Sequence, residues 1–533
     1  MKRAPRPSLL FWLATVTSAA VLGCGLNQEG VRPHAEIISY PASAVLDASG
    51  DWLFVANSNA DLRYNDGTLI ALRVARARED RLNRGVTIDG AFVAAETCPS
   101  VNYVRPLGES PDYCCIDPLD PYILNCDERR YVEKGSSVRI GSFAAGMVRQ
   151  DPPCSINPMD ECKTCDGTAS QGTSRLLIAV RGDTSLTYVD VTPEAVDANG
   201  SVVQPLVLDC VGDSTDGSNG DEEFASCDDG HRIVDTESAL ALSTADPDPP
   251  LVRFPDEPYA LALDDDSGLL YAGHLAGSTT RPGSGGVSLF DVAAVDNAMK
   301  PPRFIASFPV FAANSSGLVG VTSLRWEPGR AVFATSRYLP MVTGLSATAA
   351  LGCPLRKADM EPIREIAIFG SGETFATSLA GSETRGIQFV QSTLTTEDDM
   401  GQSHEEVVEH AFVLQRLPPA VVDFYHGLPN QVIEVCQSPT FLQKKKTIAG
   451  DRLFVNCFDS GEIFVINPYV PRVERIFSVG RGPASLVFSD HDPTVAYVVG
   501  FGDNNISVID IAPGSPSQYH VVQRIGFPNS VPR

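Results

Sequence analysis

Few residues in this chain could do chemistry, and their spacing decides what each group can be. The run His404-Glu405-Glu406-Val407-Val408-Glu409-His410 holds two imidazoles among three carboxylates, the ingredients of a zinc hydrolase. Zinc chemistry of the His-Glu-x-x-His type needs its histidines at i and i+4, one helical turn apart. Here they stand at i and i+6, which is about 20 Å along a strand and different faces on a helix. The stretch therefore reads as an acidic loop, Glu397–Glu406, leading into a strand. Cys162-Lys163-Thr164-Cys165 has CxxC spacing, but Asp166 follows where haem attachment requires His. Disulfides are the leading reading there, with zinc or a redox pair as alternatives. Asp213–Glu223 (DSTDGSNGDEE) has the composition of a calcium loop without the alternating oxygens that surround one ion, and reads as a solvated loop. Lys444–Lys446 reads as a hairpin tip, and His274 and His426 stand isolated. There is no Gly-x-Ser-x-Gly, P-loop or dinucleotide fingerprint. No catalytic residue and no cofactor is expected, and a bound metal stays open.

Stepping from these groups to the chain that carries them, 533 residues with a net charge of −25 describe an acidic protein that repels phosphate backbones, so nucleic-acid partners are not expected. Residues 1–24 have a different character. Lys2, Arg3 and Arg6 precede the apolar run Leu9–Leu22, too short to span a bilayer comfortably and of signal-peptide form. Twelve further cysteines accompany Cys24, nine of them between Cys98 and Cys227. That even number suits an exported, oxidising setting and a locally stapled region. Cys210 and Cys227 frame an acidic, Gly- and Ser-rich insertion and are a candidate pair.

The remaining chain is organised in β-rich units. The best formed is Gly482–Ile511, GPASLVFSDHDPTVAYVVGFGDNNISVIDI, with three apolar runs separated by turns. Related units start near 41, 143, 258, 321, 384 and 432. The sixth is read as Asn430–Cys436, Arg452–Cys457 and Glu462–Ile466. Insertions at about 75–137, 149–173 and 209–246 break the rhythm and hold most of the cysteines. Aligning the unit starts brings Ser43, Ala145, Ala260, Ser323, Gly386 and Ser485 into one column of small residues, as expected where strands converge on a common axis. His34–Pro41 and Val521–Pro528 resemble the lead-in Val473–Pro483, so either end could supply the outer strand that locks the last unit to the first, and strands from both would remove exposed edges.

Two resemblances follow. Val21-Leu22-Gly23-Cys24 resembles a bacterial lipobox, which implies cleavage after residue 23, a lipid on Cys24, a tether over 24–33 and attachment to a membrane of the cell envelope. Gly25 rather than Asp follows the Cys, which implies the outer membrane. Gly482-Pro483, Ala496-Tyr497-Val498, Asn504-Asn505 and Ser507-Val508-Ile509-Asp510 resemble the YVTN-type β-propeller repeat. That resemblance implies an all-β propeller over 34–533, with seven four-stranded blades and disulfide-stapled insertions in the first two or three. Propellers usually act at the channel mouth, where Arg325, Arg385 and Arg481 are candidates for holding an anion or, alternatively, for pairing with acids between blades. The expected function is a lipid-anchored, non-enzymatic binding or scaffold protein for a protein or glycan partner. An enzyme on the same scaffold, lactonase-like or an oxidoreductase, and a structural subunit of an envelope complex are the alternatives.

Overall fold

The computed structural model describes residues 31–527 except 102, 104, 105, 107, 152–172, 198–200, 211–225, 228, 237–251, 266, 276–285, 293–300, 309, 311–319, 350–365, 378–381 and 398–402. Cys24 and its leader, the Cys162–Cys165 pair and the Asp213–Glu223 loop lie outside the described residues. Among the described residues, seven sheets are each built around four antiparallel strands, and three further sheets are two-stranded. Their inner strands are Pro41–Leu46, Ala144–Gln150, Pro258–Asp264, Val321–Glu327, Ser382–Glu397, Pro439–Thr447 and Pro483–Phe488. Each inner strand touches the next, and that of sheet 7 touches that of sheet 1. The protein is an all-β propeller.

Seven apolar cores hold the ring, one between each pair of neighbouring sheets. Leu53, Val55 and Ile70 of sheet 1 pack against Tyr497, Val499 and Val508 of sheet 7. Phe333 and Phe375 of sheet 4 pack against Phe389 and Phe424 of sheet 5, with the Phe375 and Phe424 rings edge to face at 5.4 Å. The second strand of each sheet is buried on both sides where it lies between two such cores, in sheet 5 over Ala411–Gln415. Its sequence is accordingly a continuous apolar run, such as Trp52–Asn57 or Val495–Gly500.

Each inner strand carries a register shift near its start, between Pro41 and Ser43, Pro258 and Ala260, Val321 and Ser323, Thr384 and Gly386, Pro439 and Phe441, and Pro483 and Ser485, with a wider one between Ala144 and Met147. A bulge re-aims the next side chain. The residue just before it is left-handed in six sheets: Tyr40, Phe143, Glu257, Glu383, Ser438 and Gly482, at φ between 48° and 75°. The units therefore begin with a repeated backbone device as well as a repeated sequence.

Several sequence expectations are corrected. Asn430–Cys436 does not open the sixth unit. Leu428–Glu434 is the outer strand of sheet 5, and sheet 6 starts at Pro439. The described residues of the acidic loop Glu397–Glu406, Glu397 and Ser403–Glu406, are strand, because Ser382–Glu397 and Ser403–Leu417 pair in register as far as Glu397 and Ser403. Lys444–Lys446 lies within the inner strand of sheet 6, not at its tip. Alternation sends Lys444 Nζ to the carbonyl of Phe389 in sheet 5 (2.6 Å) and Lys445 Nζ to Asp490 in the first turn of sheet 7 (3.1 Å). The insertion after sheet 1's third strand ends at residue 131, since Val132–Arg139 is that sheet's fourth strand.

Of the two candidate ends, the C-terminal one supplies the outer strand of the last sheet. Sheet 1 draws its strands from the N-terminal region and sheet 7 from the C-terminal end, with His520–Ile525 outermost. The insertion covers that edge. Leu124–Cys126 pairs in parallel with residues 523–525, Cys114–Ile116 pairs with Leu124–Cys126, and Glu96–Thr97 completes a seven-stranded sheet. Disulfides Cys98–Cys115 and Cys114–Cys126 staple this clasp, and Phe527 packs among Cys98, Cys115, Tyr103 and Tyr113. Behind it, the helix Val74–Asn83 supplies Asp80, which receives Arg130 Nε and Nη2 at 2.6 and 3.0 Å and the Tyr131 hydroxyl at 2.9 Å. Burial and the Asp80 carboxylate push the Tyr131 phenol well up.

His274, fully buried at the end of sheet 3's second strand, sits 2.8 Å from Ser288 Oγ and 3.2 Å from the Asp256 carbonyl. Burial lowers it to about 4. A ring neutral in the folded chain and titrating near 6.5 when unfolded stabilises fully above pH 6.5, and that contribution is lost as pH falls towards 4. Denaturation midpoints of the wild type should therefore drop more between pH 7 and pH 4.5 than those of His274→Gln, the difference corresponding to about 2–3 kcal/mol. Parallel pH curves would refute this assignment.

Candidate functional site: the central channel and its mouth

The seven inner strands enclose a channel of about 960 Å³. Its wall is made largely by the column of small residues: Ser43, Ala145, Ala260, Ser323 and Ser485 all line it. Their size has a steric reason, since the inner strands approach closely. A Cβ at Gly146 would lie 2.6 Å from the Tyr259 carbonyl, and one at Gly386 would lie 3.1 Å from Leu442 Cβ. In sheet 6 the equivalent position is Phe441, which projects into the channel as the bulky exception.

In these antiparallel sheets the start of the inner strand and the turn between second and third strands lie at the same end. These segments build one mouth. Phe143, Arg181, Arg385, Arg416, Phe458 and Phe501 reach the channel from them. Phe501 sits 5.8 Å from Phe458 and 5.4 Å from Tyr40, centroid to centroid, giving an arc of three half-buried aromatic rings across the junction of sheets 6, 7 and 1. The guanidiniums flank this arc, Arg385 and Arg416 in the neighbouring sheet 5 and Arg181 in the neighbouring sheet 2. Arg181 lies 3.7 Å from Glu257, while Arg385 and Arg416 share one carboxylate, Glu383, with Arg416 at 3.4 Å. Two cations on one anion leave this sector of the mouth positive.

Of the three arginines expected at the mouth, only Arg385 lines the channel. Arg325 lies further along its strand and pairs with Glu327 at 3.6 Å, two residues on and on the same face. Arg481 precedes its strand, 66% exposed, and its Nε binds Asp503 at 2.7 Å. For both, pairing with a nearby acid is what the structure shows. Arg181, Arg416, Phe143, Phe458 and Phe501 were not singled out from sequence. The signal that finds them is positional, a residue at or just after the end of a second strand or just before an inner one.

Cys210 and Cys227 are joined by a disulfide, as are Cys436 and Cys457. The first closes the insertion onto sheets 1 and 2, where both sulfurs pack with Val138, Leu206 and Leu208. His404 and His410 fall on one strand six residues apart, and His410 Nδ1 is 2.8 Å from Asp423 Oδ1. Among the described residues no three His, Cys, Asp or Glu side chains converge as metal ligands.

No family model matches this chain, and no curated protein matches it. Among solved structures it is similar to Kuenenia stuttgartiensis hydrazine synthase, at 9% identity over 92% of this chain and 99% of that one, with a TM-score of 0.37. It is similar to a protein from Lactobacillus plantarum at 9% identity, over 72% and 97% of the two chains, with a TM-score of 0.38. A third is dihydro-heme d1 dehydrogenase NirN in complex with DHE, at 13% identity over 76% and 61%, with a TM-score of 0.37. Likenesses this low assign neither a family nor an activity.

Proposed function

We propose that this is a lipid-anchored binding propeller of the bacterial cell envelope, of the YVTN-repeat type, which takes a protein or glycan segment at the aromatic mouth of its channel. The observation that carries the reading is the juxtaposition at that mouth. The Tyr40–Phe501–Phe458 arc continues into a positive sector formed by Arg385, Arg416 and Glu383 on the neighbouring sheet 5, above a channel walled by short side chains. Aromatic faces bind the apolar faces of sugar rings or side chains, and guanidiniums bind carboxylates and hydroxyls beside them. The lipobox-like Val21–Cys24 supports the anchor, two or three acyl chains being enough for stable membrane attachment. The acidic charge supports a partner other than nucleic acid.

One experiment tests both halves. The full chain and a Cys24→Ser variant are expressed in a bacterial host and fractionated, and the released variant is applied to glycan and peptide arrays. The expected result is membrane retention of the wild type, release of Cys24→Ser, and array binding weakened at least tenfold by Phe458→Ala with Phe501→Ala, about 1.4 kcal/mol. Retention of Cys24→Ser in membranes would refute the anchor. Turnover of a lactone or redox substrate, abolished by Ser323→Trp in the channel wall, would replace binding by catalysis.

A further inference from the structure

A second site lies away from the channel, at the opposite end of the strands and towards the outer edge of sheets 6 and 7. A recess of about 460 Å³ opens there between the turn at 447–450, the outer strand Arg472–Ser478 and the loop preceding His520–Ile525. Arg452, Arg472, Glu474, Arg475 and Tyr519 line it. Three guanidiniums against one carboxylate form an unusual concentration of positive charge on a chain of net charge −25.

The geometry explains why they face the same way. Residues three apart on a regular strand point to opposite faces. Here a bulge at Glu474 places two residues against one, so that Arg472 pairs with Asn467 and Arg475 with Val465. Asn467 and Val465 are two apart and share a face, so Arg472 and Arg475 share one too. Glu474 is already engaged through both oxygens, by Arg452 Nε at 2.7 Å and Asn467 Nδ2 at 2.6 Å. Arg472 and Arg475 are exposed and form no ion pair with another described residue. Tyr519 closes one wall, its ring stacked on Phe477 at 5.9 Å. Burial keeps its phenol protonated beyond the ordinary range, so its hydroxyl is available as a donor.

We propose that this recess is a binding site for a tetrahedral oxyanion, a phosphomonoester or sulfate ester, held by Arg472 and Arg475 with the Tyr519 hydroxyl as third donor. Planar guanidiniums match two oxygens of such a group, and two of them match the double charge of a phosphomonoester. The volume beyond the anion accommodates the group that carries it. The site is independent of the channel and does not rest on what the channel binds.

The test uses the Cys24→Ser chain, so that no acyl anchor contributes to membrane binding, titrated with inorganic phosphate by calorimetry at low and high salt. Saturable binding that weakens with ionic strength is expected, with a loss of about tenfold or more in Arg472→Ser/Arg475→Ser. The double variant should melt with the wild type in phosphate-free buffer, because both side chains are exposed. Arg472→Lys/Arg475→Lys, which keeps charge but not the paired donors, should bind between the two. Vesicles of phosphatidylcholine with and without phosphatidic acid separate the sources. Arginine-dependent binding to the acidic vesicles, competed by phosphate, assigns a lipid headgroup, and phosphate binding without vesicle binding assigns a soluble ester. Absence of saturable phosphate binding in the wild type, or equal binding in Arg472→Ser/Arg475→Ser, overturns the proposal. Phe458→Ala should leave phosphate binding unchanged, so this site and the channel mouth fail or succeed separately.

Discussion

Replacing Asp80 by Ala is expected to destabilise the protein by about 3–5 kcal/mol, the usual consequence of removing one partner from a buried ion pair. Arg130 is 1% exposed and Asp80 5% exposed, so the guanidinium would be left desolvated, with Asp112 at its edge as the remaining acid partner. The Tyr131 hydroxyl loses its acceptor in the same step. The effect reaches beyond the insertion, because Tyr131 OH also lies 3.3 Å from Gln523 Nε2 on the outermost strand of sheet 7. Chemical denaturation of Asp80→Ala, Arg130→Met and the double variant measures it. The double variant should be much closer to wild type than either single change, since matched removal of a buried pair by apolar groups is often near neutral. If Asp80→Ala melts within a degree of wild type, the pair is not a structural lock.

Truncation after His520 is expected to have a comparable or larger effect. It removes Val521, Val522, Ile525 and Phe527, all at most 9% exposed. At about 1.5–3 kcal/mol per buried side chain, several kcal/mol of apolar burial disappear. A fall in melting temperature on the order of 10 °C follows. The clasp should loosen as well, since Leu124–Cys126 loses its parallel partner and Arg524 no longer reaches Asp117 at 2.9 Å. Limited proteolysis should then cut within residues 96–126 faster than it does in the intact protein. An unchanged melt together with an unchanged digestion pattern would show that this strand is dispensable to the ring.

Much of the ring could be read from the sequence because its signals are local. Proline at 41, 258 and 483, a small residue two positions later and an apolar second strand marked those unit starts, and the structure places strands there. The start of sheet 6 carries a weaker mark, because Phe441 stands two positions after Pro439 where those units have a small residue, while the alternating Asn430–Cys436 imitates an inner strand. The long hairpin of sheet 5 was hidden by its charges. Glu405, Glu406 and Glu409 sit on strand positions facing solvent, where acidity says nothing against a strand. The clasp was out of reach, because a parallel pairing between residues near 125 and near 524 leaves no local mark on either segment. The candidate site was legible only in part. The column of small residues gave the channel wall, whereas choosing arginines by nearness to inner strands found Arg385 and overlooked Arg181 and Arg416, which lie at strand ends brought together by topology.

The left-handed residues at the strand starts have a consequence for how this surface can vary. Tyr40, Phe143, Glu257, Glu383 and Ser438 hold a backbone shape that costs roughly 1–2 kcal/mol for a residue with a Cβ, and sheet 7 meets the same requirement with Gly482. Glycine or asparagine can enter any of these positions without moving the strand, and valine or isoleucine cannot do so cheaply. The backbone thus filters substitutions at the mouth before any ligand does. Its repertoire is restricted to unbranched, aromatic and polar side chains, and each replacement changes the rim while the ring beneath keeps its form.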